Sequence, residues 1–316
     1  MSQTEARTAA AVAKPHRARP PQNGMEKCVE DLEGKVAVVT GSGGPHGIGR
    51  ATARLFAQQG CRVVLSDVDA AALADAVGEL HDLGHDVLGV PTDVADFDSV
   101  RQLADAAFEQ YGQVDILFLN AGVAGGGGLF DDEISDWRRI YDINFFGILH
   151  GIKAFAPRMI AQGTPGHILG TSSGSGAVGV MYQTPAYSTS KQAVCTLMEC
   201  LHGQLRDQRS LIQAHVVLPP LTKTNLAGDR ETMTFVQRGL EAGGVAAVLA
   251  EPAEVATTVL ETVRSGNFWA HHDHEADKRL HGGRFAADID WQDEVIRRRA
   301  AAIIDRSAPD PYLWGM

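Results

Sequence analysis

The chain has 316 residues, 44% hydrophobic and 21% charged, a globular balance that excludes disorder of the whole chain and supplies apolar surface for a substantial core. Lys plus Arg number 28 against 39 Asp plus Glu, and the net charge of -11 argues against partners that present a phosphate backbone or an anionic membrane. The four cysteines, Cys28, Cys61, Cys195 and Cys200, form no CxxC pair and are too sparse for a disulfide framework, which fits a reducing cytoplasm.

Residues 1–24, rich in Ala, Pro and Arg, show no period that buries a face and lack the apolar centre of a secretory signal. They are expected to form a mobile tail, with residues 25–316 as a single domain. No apolar run approaches the roughly 18 residues of a membrane span. From Lys35 onward, short apolar runs alternate with helix-length segments: VAVV (36–39), RVVLS (62–66), DVLGV (86–90), VDILFL (114–119), HILGT (167–171) and AHVVL (214–218). The intervening stretches, such as IGRATARLFAQQG and SVRQLADAAFEQYG, repeat apolar residues every three or four positions. Continuous apolar strands between amphipathic helices predict an α/β fold, a doubly wound parallel sheet covered on both faces, with its ligand site in the turns after the strands. After Pro219 the pattern loosens into an excursion over 222–250, taken as a substrate loop, then a helix near 253–264, a short strand NFWAH and a C-terminal extension, 279–316.

The first strand runs into TGSGGPHGIGR (40–50) and then a helix. Glycines at such a turn let the backbone approach a pyrophosphate, while the N–H groups opening the helix face its charge, and Gly41, Gly47 and Gly49 take that role. Asp67 ends the second strand, eighteen residues past Gly49, where a carboxylate accepts both ribose hydroxyls of NAD and repels the 2′-phosphate of NADP. With Val68 next in the chain and His46 rather than a fixed cation before Gly47, the expected cofactor is NAD.

In TPAYSTSK (184–191) a tyrosine and a lysine stand four residues apart, one helical turn. Alone, that spacing is common by chance. In the order TGSGGPHGIG, Asp67, TDV (92–94), NAG (120–122), Asn144 in YDINFFG, TSSGSG (171–176) and YSTSK (187–191), the chain resembles the short-chain dehydrogenase/reductase family over most of residues 33–270. The resemblance implies a Rossmann fold, catalytic roles for Asn144, Ser173, Tyr187 and Lys191, and a homodimer or homotetramer. It also implies cofactor contacts from Ile48, Asp93, Val94, Asn120, Ala121 and Gly122. In PPLTKT (219–224), similar to the family's PGxVxT, it implies contacts from Pro219, Thr222 and Thr224. PRMIAQGTPGHILGTSS and the long C-terminal segment also resemble the branch that oxidises benzylic alcohols of lignin-derived aryl ethers, although an unrelated alcohol or steroid dehydrogenase could carry them.

Three departures stand out. The phosphate loop holds two extra residues, with Pro45 and His46 in the bulge; Pro220 replaces a glycine and removes an N–H; and Ser173 lies 14 residues before Tyr187 where 13 is commoner, leaving Ser175 as the alternative hydroxyl.

The expected chemistry is interconversion of a secondary alcohol and a ketone, Tyr187 being the base in oxidation and the acid in reduction. Lys191 and the nicotinamide are expected to lower the phenol from about 10, and a lowering of roughly 3 units corresponds to about 4 kcal/mol. Ser173 would bond the developing carbonyl oxygen, and Asn144 would hold a water linking Lys191 to solvent.

HHDHE (271–275) with His281 has the look of a metal cluster, but no second ligand group has suitable spacing and none is expected to bind metal. Phe268, Trp269, Trp291, Tyr312 and Trp314 read as packing residues, or with Met181 and Tyr182 as walls of an apolar, aromatic-accepting pocket. The alternatives are a reductase of ketone or 3-oxoacyl substrates, and a non-catalytic dinucleotide-binding sensor.

Overall fold

The computed structural model describes residues 31–125, 128–174, 184–224, 226 and 249–271. The apolar runs become β1 (Val36–Thr40), β2 (Arg62–Asp67), β3 (Val87–Pro91), β4 (Ile116–Leu119), β5 (Gly166–Thr171), β6 (Ile212–Leu218) and β7 (Trp269–His271). They form one parallel sheet of order β3-β2-β1-β4-β5-β6-β7. The order reverses between β1 and β4, which opens a crevice at their carboxyl ends.

Successive strand residues point to opposite faces, and both faces are covered. Val38, Leu117, Ile168 and Val216 pack with Leu103, Phe155 and Met198, whereas Val39, Phe118, Leu169 and Val217 pack with Phe56, Leu73 and Val259. This is why the strands read as unbroken apolar runs. The first face is built by α3 (Phe97–Tyr111), α5 (Gly147–Ala161) and α6 (Pro185–Asp207), the second by α1 (Ile48–Gln58), α2 (Ala70–Asp82) and α7 (Pro252–Ser265).

Helix ends follow local chemistry. Asp69 caps α2 by accepting from Ala71 N and Ala72 N, and Asp96 caps α3 through Asp98 N, each worth about 1 kcal/mol. Pro252 opens α7 inside a capping box of Glu251 and Glu254. Between α4 (Ile134–Tyr141) and α5 the sequence DINFF forms a π-helical turn, Asp142–Phe146, in which Gly147 N–H bonds to Asp142 O. The periodicity of this stretch did not suggest it.

The final strand is shorter than NFWAH. Phe268 is buried, packed against His202 and edge-on to Trp269, and belongs to the core rather than to a pocket wall. The ends of the excursion after β6 are pinned together: Thr222 bridges Ala250, Lys223 N bonds to Ala250 O at 2.9 Å and Lys223 pairs with Glu251. The N-terminal tail, Ser175, Met181, Tyr182, nearly all of the excursion, His272, His274, His281 and the C-terminal extension lie outside the described residues. No helix among the described residues is long and apolar enough to cross a membrane.

Candidate active site

The phosphate loop leaves β1 through Gly41, which has φ +64 and lies so close to Ala121 that a Cβ would sit 2.7 Å from its Cα. A Cβ on Gly49 would sit 2.2 Å from Gly41 O and 2.7 Å from Asn120 Nδ2, so this crossing of loop and helix admits only glycine. The two extra residues are absorbed in a turn closed by Gly47 N to Gly44 O at 3.0 Å, with Pro45 and His46 exposed at its tip. Proline presets φ for the second position of such a turn. Ile48 begins α1 behind Gly47, an N-cap with no side-chain cap and no acidic residue in the first turn. Such a helix start suits an anionic group.

Asp67 faces this loop from β2. Its carboxylate accepts from Gly43 N at 2.8 Å and Asp69 N at 3.1 Å. Arg50, the nearby cation, is engaged by Asp75, Glu79 and Gly43 O. After β3, Asp93 is exposed and Val94 buried against Gly147, with His150 Nδ1 2.9 Å from Val94 O. After β4, Asn120 Nδ2 donates to Thr40 O and Gly41 O, and Thr40 Oγ1 accepts from Asn120 N and Ala121 N. Thr40 is thus a positioning residue that sequence reasoning passed over, although it opens the TGSGG motif.

The proton-transfer candidates meet where β4, β5 and α6 converge. Tyr187 is half-buried and hydrogen-bonded to Ser173. Lys191, one turn on and buried, donates from Nζ to Thr171 O at 3.0 Å and lies 5.8 Å from the Tyr187 ring centroid. A Cβ on Gly122 would sit 3.1 Å from Lys191 Nζ and 3.2 Å from Asn144 Oδ1, so the NAG turn, the π-helix and α6 touch here. Asn144 is fully buried; Oδ1 accepts from Val123 N, while Nδ2 donates to Val123 O and Ser190 Oγ. Both of its amide protons are committed. Placing this residue in a π-turn fits the frequent use of such turns at sites.

The electrostatics of the protein groups alone run against the phenolate. Burial pushes the Tyr187 phenol up from its ordinary value, and the Ser173 hydrogen bond only partly opposes this. Lys191 is itself pulled down to about 8, because burial penalises its ammonium. The lysine therefore does not hold the phenol low by itself.

Pro219, Thr222 and Thr224 follow β6. Thr222 Oγ1 donates to Pro220 O at 2.7 Å, Thr224 N to Thr222 O at 2.7 Å, and Thr224 Oγ1 accepts from Leu226 N at 3.3 Å. Of the sequence-derived catalytic and cofactor positions among the described residues, Asp67 ends β2, and the others lie in turns or helix starts after the strands or on α6 and the π-turn. No group of three or more metal-ligating residues occurs among the described residues. Ser172 and Ser190 also carry contacts that sequence reasoning did not assign, and both stand inside the motifs it quoted.

The chain matches the family model described as short chain dehydrogenase over residues 35–234. It is 34% identical over 285 residues to the 1-deoxy-11-beta-hydroxypentalenate dehydrogenase of Streptomyces exfoliatus, covering 90% of this chain and 95% of the relative. Among solved structures, a short chain dehydrogenase/reductase from Burkholderia phymatum in complex with NAD has a TM-score of 0.69 and 32% identity, covering 90% of this chain and 99% of that one. The apo form of LigO from Sphingobium sp. strain SYK-6 has a TM-score of 0.68 and 28% identity, covering 89% and 99%. With motifs, sheet order and extent of match in agreement, the chain belongs to the short-chain dehydrogenase family of oxidoreductases.

Proposed function

We propose that the protein is a NAD-dependent alcohol dehydrogenase of the short-chain type, interconverting a secondary alcohol and a ketone with Tyr187 as general base and acid. The observation that carries the reading is the hydroxyl pair of Ser173 and Tyr187, with the Lys191 ammonium held behind it by Thr171 O at the end of β5. The glycine crossing at Gly41 and Gly49, the uncapped start of α1 and the Asp67 carboxylate fit a dinucleotide with free ribose hydroxyls. Gly41, Gly47, Ile48 and Gly49 would hold the pyrophosphate, Asp67 the adenosine ribose, Asp93 and Val94 the adenine side, and Lys191 the nicotinamide ribose. Asn120, Ala121 and Gly122 would form the floor, and Pro219, Thr222 and Thr224 would meet the nicotinamide end. The NAD in the Burkholderia phymatum structure supports the same choice.

NAD held by these residues would supply the acceptor for the hydride of the carbinol carbon and a positive ring beside it. Ser173 donates a hydrogen bond to the substrate oxygen, and Tyr187 removes its proton as the carbonyl forms. Lys191 stabilises the phenolate, and in reduction Tyr187 returns the proton. Asp67 selects NAD and thereby the oxidative direction, since cellular NAD pools are mostly oxidised. The substrate is apolar or aromatic; the Streptomyces relative acts, by its name, on a hydroxylated pentalenate. The protein works as a homodimer or homotetramer, which sedimentation would measure.

Absorbance at 340 nm, followed with secondary alcohols and with NAD and NADP in parallel, tests the reading. Turnover with NAD is expected, and Tyr187→Phe should remove at least about a hundredfold of it, the usual scale of general-base catalysis. Near wild-type turnover in Tyr187→Phe would sink the mechanism.

A further inference from the structure

Three consecutive residues at the end of β5 each grip the same turn of α6. Thr171 O takes the ammonium of Lys191, and the hydroxyl of Ser173 bonds to Tyr187. Between them Ser172, almost fully buried, donates from Oγ to the backbone carbonyl of Lys191 at 2.6 Å. That hydroxyl has one proton and gives it to a carbonyl, so the 3.1 Å contact with Cys195 Sγ is the thiol donating to Ser172 Oγ. Ser172 N in turn donates to Val217 O of β6 at 2.9 Å, which fixes it in the sheet. The helix lies close here: a Cβ on Gly170 would sit 2.8 Å from Met198 Sδ.

We propose that Ser172 is a positioning residue for the reaction: its hydrogen bond to Lys191 O sets the axial position of α6 on β5, so that Ser173 meets the phenol while Thr171 meets the ammonium. Ser172 reaches no reacting group, since its hydroxyl is buried and committed to the helix. A regular helix needs no outside donor to its carbonyls, and this one is supplied at the residue whose side chain must be placed. Without it the register of α6 on the strand end rests on the reacting side chains themselves and on non-directional apolar packing such as that of Met198 on Gly170. A shift of about 1 Å at such a site costs up to a hundredfold in rate.

The inference rests on the reading of Tyr187 as the proton-transfer group. In Ser172→Ala, kcat is expected to fall about 10- to 100-fold, with KM for alcohol and NAD within about threefold, as only the placement of transition-state contacts changes. Cys195→Ala removes a neighbour of similar size but leaves the bond to Lys191 O, and should stay near wild type. A second readout needs no substrate. Ionisation of the Tyr187 phenol, taken as the ultraviolet titration difference from Tyr187→Phe, should move to higher pH in Ser172→Ala, because a displaced Ser173 no longer favours the phenolate.

If Ser172→Ala does not fold, both readouts pass to Ser172→Cys, which fills the space but donates weakly, and the same losses are expected. Wild-type kcat together with an unmoved titration in a folded variant would overturn the assignment, as would an equal loss in Cys195→Ala. Turnover retained in Tyr187→Phe would instead remove the mechanism, with the phenol titration still deciding for or against Ser172.

Discussion

His167 and His215 should make the protein sensitive to acid well above the range in which carboxylates protonate. The two imidazoles face each other between β5 and β6, both fully buried, with His167 Nδ1 3.0 Å from His215 Nε2 and His215 Nδ1 2.7 Å from Asn267 O. A carbonyl only accepts, so His215 carries its proton on Nδ1, and His167 Nδ1–H donates to the free Nε2. Adding a proton to His215 would set two donors against each other. Burial accordingly pulls His167 from 6.5 down to about 3 and His215 to about 4. With both values lowered by folding, the unfolded chain binds more protons below 6.5, and the stability present above that pH is lost as pH falls toward 4. Between pH 7 and 5 the loss is about 2 kcal/mol for each imidazole, roughly 4 for the pair. Urea unfolding at half-unit pH steps measures this as the slope of ΔG against pH. Replacing both by glutamine should remove about two protons from that slope near pH 5. An unchanged slope in a folded double variant would refute the neutral, buried pair.

Gly49→Ala should weaken NADH binding about fivefold or more by fluorescence titration, because its Cβ would meet Gly41 O at 2.2 Å and overpacking of this kind costs about 1–3 kcal/mol. Asp67→Ala should raise KM for NAD about tenfold or more and lift the NADP to NAD ratio, since charge-assisted hydrogen bonds are worth about 1.5–3 kcal/mol; an unchanged ratio would contradict its role. Lys191→Met should abolish turnover yet stabilise the fold at pH 7. Holding the ammonium charged against a value lowered from 10.5 to about 8 costs about 3 kcal/mol, offset in part by the Thr171 carbonyl that the variant leaves unpaired. Wild-type stability should accordingly rise with pH between about 8 and 10.5 as Lys191 loses its proton, a slope that Lys191→Met lacks.

The sheet was legible because buried parallel strands need apolar residues on both faces, so runs such as VAVV and ILFL stand out against helices of mixed character. The phosphate loop, Asp67 and the Tyr187–Lys191 turn were legible because each forms a local pattern. Contacts joined only through space were not. His167 and His215 each sit inside an apolar run, and only the pairing of β5 with β6 brings them together. The available hint was a histidine in each of two successive apolar runs, HILGT and AHVVL. The π-turn escaped because YDINFF has the same apolar spacing whether its backbone is α or π. Sequence alone does not separate core from pocket for Phe268, since an aromatic residue beside a strand does not reveal which face it occupies.

The dry surroundings of Lys191 raise the phenol and lower the ammonium, which at first opposes the chemistry. They also determine how strongly the two attract once the phenolate forms. If the two charges are separated by the 5.8 Å between Lys191 Nζ and the Tyr187 ring centroid, an effective dielectric of about 20 gives an attraction of roughly 3 kcal/mol, against about 0.7 in bulk water. That is about a hundredfold in the ionisation of the phenol, supplied only in the charged state on which the proposed mechanism relies. A lowering of roughly a thousandfold would bring a free phenol to neutral pH. In the proposed mechanism Ser173 and the positive nicotinamide would offset the burial of Tyr187 and add about the last tenfold. A lysine closer to solvent would cost less stability and attract the phenolate less, so the instability predicted for Lys191 and the basicity proposed for Tyr187 have one cause.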